Sequence, residues 1–217
     1  NFGRVYSRDM QYAAYRYTEA RLDKSCETLF SGLNKNAVEF VDNYSGTFRE
    51  PVLLPVTFPT ILVNANQGIA VGMASNICSF NLREVCEATC ALIDDKEVDL
   101  FQYMPAPDFS TGANIIYEED VMQNVYENGR GSIKMRAVYH IDTKNKCIEI
   151  TEIPYSTTVE AIIEDVIEQN KKGKLKEVVN VRDDTDLNGL KLTIDYRPSA
   201  DPELLVQKLF SVTAMQS

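Results

Sequence analysis

The sequence is poor in the residues from which metal sites and disulfide frameworks are built. It holds one histidine, His140, and five cysteines, Cys26, Cys78, Cys86, Cys90 and Cys147, with no CxxC spacing. The count is odd, and Cys86 and Cys90 stand four apart on one helix face with no second pair. They read as small buried hydrophobes, and no metal is assigned. Reduced thiols fit a cytoplasmic protein. No run of about 18 apolar residues is present, which excludes a membrane-spanning helix. There is no initiator Met, no apolar leader, no internal repeat and no low-complexity tract. The chain starts at Asn-Phe-Gly and stops at Ala-Met-Gln-Ser, and both ends read as cuts within a longer protein.

Positive charge is also scarce. Lys and Arg total 22 against 32 Asp and Glu, a net charge of -10 over 217 residues. A phosphate-binding surface needs Lys and Arg, but local fields rather than net charge decide binding. Residues 1–24 carry Arg4, Arg8, Arg16, Arg21 and Lys24 against Asp9, Glu19 and Asp23. Any contact with nucleic acid is therefore expected near this mildly basic N-terminal segment.

Hydrophobic residues make up 44% of the chain, ordinary for a globular protein. Helical spacing with a Thr18 cap predicts a helix over 18–31. Residues 42–59 carry Pro51, Pro55 and Pro59 without helical period and read as a Pro-rich connector between two folded parts. The apolar, Gly-punctuated stretch 61–77 suggests short strands or loops. Asn81 is predicted to cap a helix to about residue 94, with Leu82, Val85, Cys86, Thr89 and Leu92 inward. A shorter helix over 118–127 ends at Gly129. Alternation over 133–141, a turn at 143–146 and a return over 147–153 form a hairpin, which leaves His140 on the surface. Thr157 and Glu160 have capping-box spacing before a helix ending at Lys171-Lys172-Gly173. The basic run Lys171, Lys172, Lys174 and Lys176 reads as a solvated helix end. Strands near 177–182 and 190–196 follow, and Asp201-Pro202 opens a last helix. Mixed helices and hairpin-paired strands define the α+β class.

One segment carries chemistry: Ala13-Ala14-Tyr15-Arg16-Tyr17-Thr18-Glu19-Ala20-Arg21-Leu22. A phenol with a pKa near ~10 is a weak nucleophile at neutral pH. A neighbouring guanidinium favours the phenolate and grips phosphate oxygens as charge builds on them. Adjacent residues share no face of a regular helix or strand. For Arg16 and Tyr17 to reach one phosphate the backbone must be irregular, as just before a helix start at Thr18, whose dipole would favour the anion. A tyrosine recombinase would need several Arg and His partners, and His140 is the sole His.

This segment resembles the active-site block of the A subunit of bacterial type IIA DNA topoisomerases, the DNA gyrase and topoisomerase IV family. Phe40-Val41-Asp42-Asn43-Tyr44-Ser45-Gly46-Thr47, Leu54-Pro55-Val56-Thr57-Phe58-Pro59 and Gly68-Ile69-Ala70-Val71-Gly72-Met73-Ala74-Ser75-Asn76-Ile77 are similar to later blocks of that family. Pro107-Asp108-Phe109, Gly129-Arg130-Gly131, Glu152-Ile153-Pro154-Tyr155 and Arg182-Asp183-Asp184-Thr185-Asp186 follow in family order, so the likeness covers essentially the whole chain. Two departures stand out. Tyr15 replaces the usual Met, and Val5-Tyr6-Ser7-Arg8-Asp9-Met10 replaces a Ser-Ile-Asp-Gly-Asp run.

The resemblance implies an ATP-dependent enzyme that passes one DNA duplex through a break in another. Tyr17 would form a 5′-phosphotyrosyl bond, with Arg16 on the scissile phosphate. Ile69 would insert between base pairs as an apolar wedge, Gly68 would allow close backbone approach, and Asn66, Gln67 and Arg21 would contact DNA. Mg2+ and ATP are expected on a partner B subunit, within an A2B2 heterotetramer built on a homodimer of A subunits. Residues 1–41 would be the end of a winged-helix domain and residues 60–217 a truncated tower domain, and the piece alone would be inactive. The rival reading is a non-catalytic DNA-bending or scaffold module that shares the fold.

Overall fold

A computed structural model describes residues 2–217. Among them, helices and antiparallel sheets are mixed in an α+β fold, and the chain divides into two compact units. One comprises Glu19–Asp108; the other joins residues 2–18 to Phe109–Ser217.

Unit Glu19–Asp108 is built of small elements. Helix α1 covers Ser25–Leu29 only, with the Asp23 carboxylate accepting from the Ser25 amide. The predicted helix over 18–31 is thus much shorter. Thr18 does not start it; it ends a preceding 3-10 turn in extended backbone. Leu22 is 82% exposed, and a helix this short persists only where packing supports it.

Part of the expected connector is ordered as a hairpin. Strand β1 (Phe40–Asp42) pairs antiparallel with β2 (Arg49–Pro51). The Asn43 side chain closes the loop between them, accepting from the amides of Thr47 and Phe48 and from the Ser45 hydroxyl. Local side-chain bonds of this kind give the backbone an alternative to helix that the prolines alone do not reveal.

A single turn α2 (Thr60–Val63) leads into a second hairpin, β3 (Asn66–Ala70) with β4 (Met73–Ile77). Helix α3 (Leu82–Asp94) starts as expected, with Asn81 accepting from the Arg83 amide. Its inward face differs: Val85 and Ala88 are buried, whereas Leu82 and Leu92 are exposed. The buried stripe is narrower than the apolar spacing alone predicts.

The other unit holds the main core. Strand β5 (Asn114–Ile115) precedes α4 (Glu119–Asn128), which ends at Gly129 in left-handed conformation, φ 64°. The expected continuous strand over 133–141 is broken. Strand β6 (Met135–Arg136) pairs with β5, while β7 (Val138–Asp142) pairs with β8 (Cys147–Glu152), with an irregularity between Val138 and Tyr139. Helix α5 (Val159–Lys171), β9 (Val178–Asp183), β10 (Leu192–Tyr196) and α6 (Pro202–Val212) complete the unit. The sheet order is β7-β8-β10-β9, antiparallel throughout.

One apolar cluster unites this sheet with its helices. Ile148, Ile150, Leu192 and Ile194 from the central strands meet Val159, Ile162 and Val166 of α5 and Leu205, Val206 and Leu209 of α6. Strand alternation supplies one face and helical spacing the other. His140 is exposed and Cys147 is buried.

The start of α5 corrects the capping-box reading. Thr158, not Thr157, is the cap, accepting from the Ala161 amide. Glu160 does not reach back to the cap; its carboxylate accepts from the amides of Arg8 and Asp9.

Candidate nucleic-acid interface

Tyr15–Tyr17 form one 3-10 turn, closed by bonds from the Tyr17 amide to the Ala14 carbonyl (2.9 Å) and from the Thr18 amide to the Tyr15 carbonyl (3.1 Å). The Thr18 hydroxyl also donates to the Ala14 carbonyl (3.3 Å). With about three residues per turn, this conformation is tighter than an α-helix. It brings the Arg16 guanidinium to 5.2 Å from the Tyr17 ring centre. The irregular backbone that the adjacent pair requires is therefore present. It comes from the 3-10 turn and not from a helix start at Thr18; α1 begins only at Ser25.

Tyr17 is 71% exposed and Tyr15 90%. An exposed phenol beside an exposed cation is open to a bulky anionic ligand. Arg21 is exposed as well and belongs to the other compact unit.

The second group of candidates shares one hairpin. Register pairs Gln67 with Asn76, Gly68 with Ser75, Ile69 with Ala74 and Ala70 with Met73. Directly opposed residues share a face and neighbours alternate, so Gln67 and Ile69 lie on one face, Asn66 and Gly68 on the other. Ile69 is 83% exposed on a two-residue turn hairpin. An apolar side chain held out on a paired backbone suits insertion more than core packing. A Cβ on Gly68 would stand 2.8 Å from Ser75 Oγ. Gly72 takes φ 81° in the turn.

Sequence reasoning passed over Val71 and Met73, which flank Gly72 in that turn and are also largely exposed. The available signal was Gly72 two residues beyond Ala70, which marks the turn and hence which neighbours project from it.

Among the described residues no three His, Cys, Asp or Glu side chains come together as a metal-holding set. No helix is long and apolar enough to cross a membrane.

The family profile described as the A subunit of DNA gyrase/topoisomerase IV matches residues 1–217. The chain is 40% identical to the DNA gyrase A subunit of Metamycoplasma arthritidis and 38% identical to that of Thermotoga maritima, in each case over 100% of this chain and 24% and 27% of the relative. It is 39% identical to the chloroplastic/mitochondrial DNA gyrase A subunit of Arabidopsis thaliana, over 94% of this chain and 22% of that protein. These matches place the chain among the A subunits of type II DNA topoisomerases. The chain belongs to the DNA gyrase/topoisomerase IV A-subunit family. It spans about a quarter of the length of the curated relatives it matches.

Proposed function

We infer that the chain is the part of an A subunit that cuts and reseals DNA in an ATP-dependent type IIA topoisomerase. The observation that carries this reading is the exposed Tyr15–Tyr17 turn, with the Arg16 guanidinium stacked at the Tyr17 ring.

The Tyr17 phenolic oxygen attacks the scissile phosphorus. A phosphotyrosyl bond to the DNA 5′ end forms as the bond to the 3′ oxygen breaks. The phenol gives up its proton, and the departing 3′ oxygen takes one up and leaves as a hydroxyl. Because one phosphodiester is exchanged for another, resealing reverses the same step. Arg16, a planar donor of paired hydrogen bonds, holds the phosphate and stabilises the charge that develops on its oxygens.

Ile69 is the wedge that unstacks a base step and bends the duplex. Gly68 allows close approach, Asn66 and Gln67 offer polar contacts, and Arg21 meets the backbone. Residues 1–41 are assigned to the end of a winged-helix domain, 42–59 to a connector and 60–217 to a tower domain. No metal ligand is assigned on this chain. Mg2+ and ATP belong to a B subunit, with which a homodimer of A subunits makes an A2B2 complex. Two strands are cut by two tyrosines, which requires the two-fold arrangement. The location is the cytoplasm.

The test is Tyr17→Phe in the full-length protein with its B subunit. The covalent DNA adduct is expected to vanish while duplex binding persists. An adduct at the normal level would take the nucleophile role away from Tyr17, and a parent protein that forms no adduct would be a non-catalytic bending or scaffold module. The 217-residue piece alone is expected to relax no DNA.

A further inference from the structure

The loop that leads into the Arg16–Tyr17 turn is tied to helix α5 by one carboxylate. Glu160 accepts from the Ser7 hydroxyl, from the Arg8 amide (3.0 Å) and from the Asp9 amide (3.2 Å). The same Ser7 oxygen takes the Met10 amide (3.1 Å), and Ser7 is buried. Tyr6 adds a fourth tie: its carbonyl accepts the Val159 amide (2.9 Å), one of the α5 donors that has no partner inside the helix. Tyr6 also packs against the main core. The Arg8–Glu164 pair is exposed on both sides and adds little.

The loop so held is also closed on itself. Its two legs are joined by the Arg4 amide to the Met10 carbonyl (2.9 Å). They lie so close that a Cβ on Gly3 would come within 2.8 Å of the Met10 carbonyl and 2.9 Å of the Tyr12 nitrogen. The second leg runs directly into Ala14, whose carbonyl closes the turn that carries Tyr17. In contrast, Tyr12, Tyr15 and Tyr17 are largely exposed, so side-chain packing does little to fix that turn.

We propose that Glu160 is a positioning residue for cleavage: from α5 it fixes the loop of residues 4–12, and through that loop it sets where the Tyr17 phenol stands. The inference rests on the assignment of Tyr17 as nucleophile. Glu160 touches no substrate; it acts on geometry. A displacement of the nucleophile by about 1 Å is enough to slow a positioned reaction by about 100-fold.

The experiment uses full-length protein with its B subunit, carrying Glu160→Ala, Glu160→Gln, Ser7→Ala or Tyr17→Phe. Two quantities are read: the initial rate of covalent adduct formation at saturating DNA, and amide hydrogen exchange. Glu160→Ala is expected to lower that rate about 100-fold with unchanged DNA affinity. The amides of Arg8, Asp9 and Met10 are expected to lose protection while those of β8 and β10 keep theirs. Glu160→Gln keeps one acceptor oxygen but turns a donor toward one of the amides, so it and Ser7→Ala should fall in between. Should Glu160→Ala not fold, these two variants decide by the same readings. A normal adduct rate in Glu160→Ala, or in both milder variants once their loop amides exchange faster, overturns the proposal. So does unchanged loop protection. An adduct that persists in Tyr17→Phe overturns the nucleophile assignment and this inference with it; loss in Tyr17→Phe with a normal rate in Glu160→Ala removes only the inference.

Discussion

Arg16 stands with its guanidinium 5.2 Å from the Tyr17 ring centre, on a turn where both side chains are exposed. A cation over an aromatic face is held by the ring quadrupole, so the guanidinium waits near the phenol before any phosphate arrives. Lysine carries the charge but not the planar pair of donors. Arg16→Lys should therefore retain more cleavage than Arg16→Ala, which is expected to lose about 100-fold or more in adduct formation rate, as removal of one transition-state donor does elsewhere. A rate in Arg16→Lys equal to the parent's would reduce Arg16 to a point charge, and equal rates in the two variants would leave its charge alone without effect.

Glu160 is a residue whose ionisation bears on stability. Burial pushes its carboxyl up, but the Ser7 hydroxyl and the amides of Arg8, Glu160 and Asp9 outweigh that and hold it down at about 2, against an ordinary 4.5. The unfolded chain therefore binds this proton first. The stabilisation is complete above the ordinary value and is lost as pH falls from there toward about 2. In urea unfolding, the gap between the parent and Glu160→Gln should be flat at neutral pH and narrow as the solution becomes acid. A gap that widens in acid would contradict the sign.

At the scale of elements, two positions of the β3–β4 hairpin should respond differently to substitution. Ile69 is 83% exposed, so Ile69→Ala should change folding stability by no more than about 0.5 kcal/mol. The same change should shrink the bend of bound DNA, read by energy transfer between labelled duplex ends. A large stability loss with an unchanged bend would make Ile69 a packing residue. Gly72 takes φ 81°, so Gly72→Ala should destabilise by about 1 kcal/mol.

Elements were legible in the sequence where their signals were local. Asn81 before α3, Gly129 after α4 and Asp201-Pro202 before α6 all lie where cap chemistry puts them. Thr157 has Glu160 three residues on and so fits the capping-box spacing, whereas Thr158, the actual cap, has Ala161 there; the spacing misleads because Glu160 has another partner. That partner is Ser7, 153 positions away in sequence. The long helix expected after Thr18 failed for a related reason: its apolar spacing was real, but nothing covers Leu22. In the candidate site, the pairing of Arg16 with Tyr17 was legible, whereas the 3-10 turn that produces it and the exposed Val71 and Met73 were not.

For the molecule as a whole, a net charge of -10 has to be reconciled with DNA. Most of the acidic residues lie outside the first 24 residues, where basic side chains prevail. Under the proposed role, binding by this part would depend on a small number of phosphate contacts, and its salt dependence should be shallow. Arg21→Ala is expected to weaken duplex binding without regard to sequence and to reduce the salt slope by about 1. No change in slope would take Arg21 out of the interface.

The central claim concerns one oxygen atom, and its most direct test is to find the bond. Full-length protein, assembled with its B subunit, would be given a duplex that cannot be resealed after cutting, then digested and analysed for nucleotide-linked peptides by mass spectrometry. The account predicts a 5′-phosphate carried by the peptide that contains Tyr17, on Tyr17 and not on Tyr12 or Tyr15. A nucleotide linked to any other residue, or cleaved DNA with no linked peptide, would contradict it.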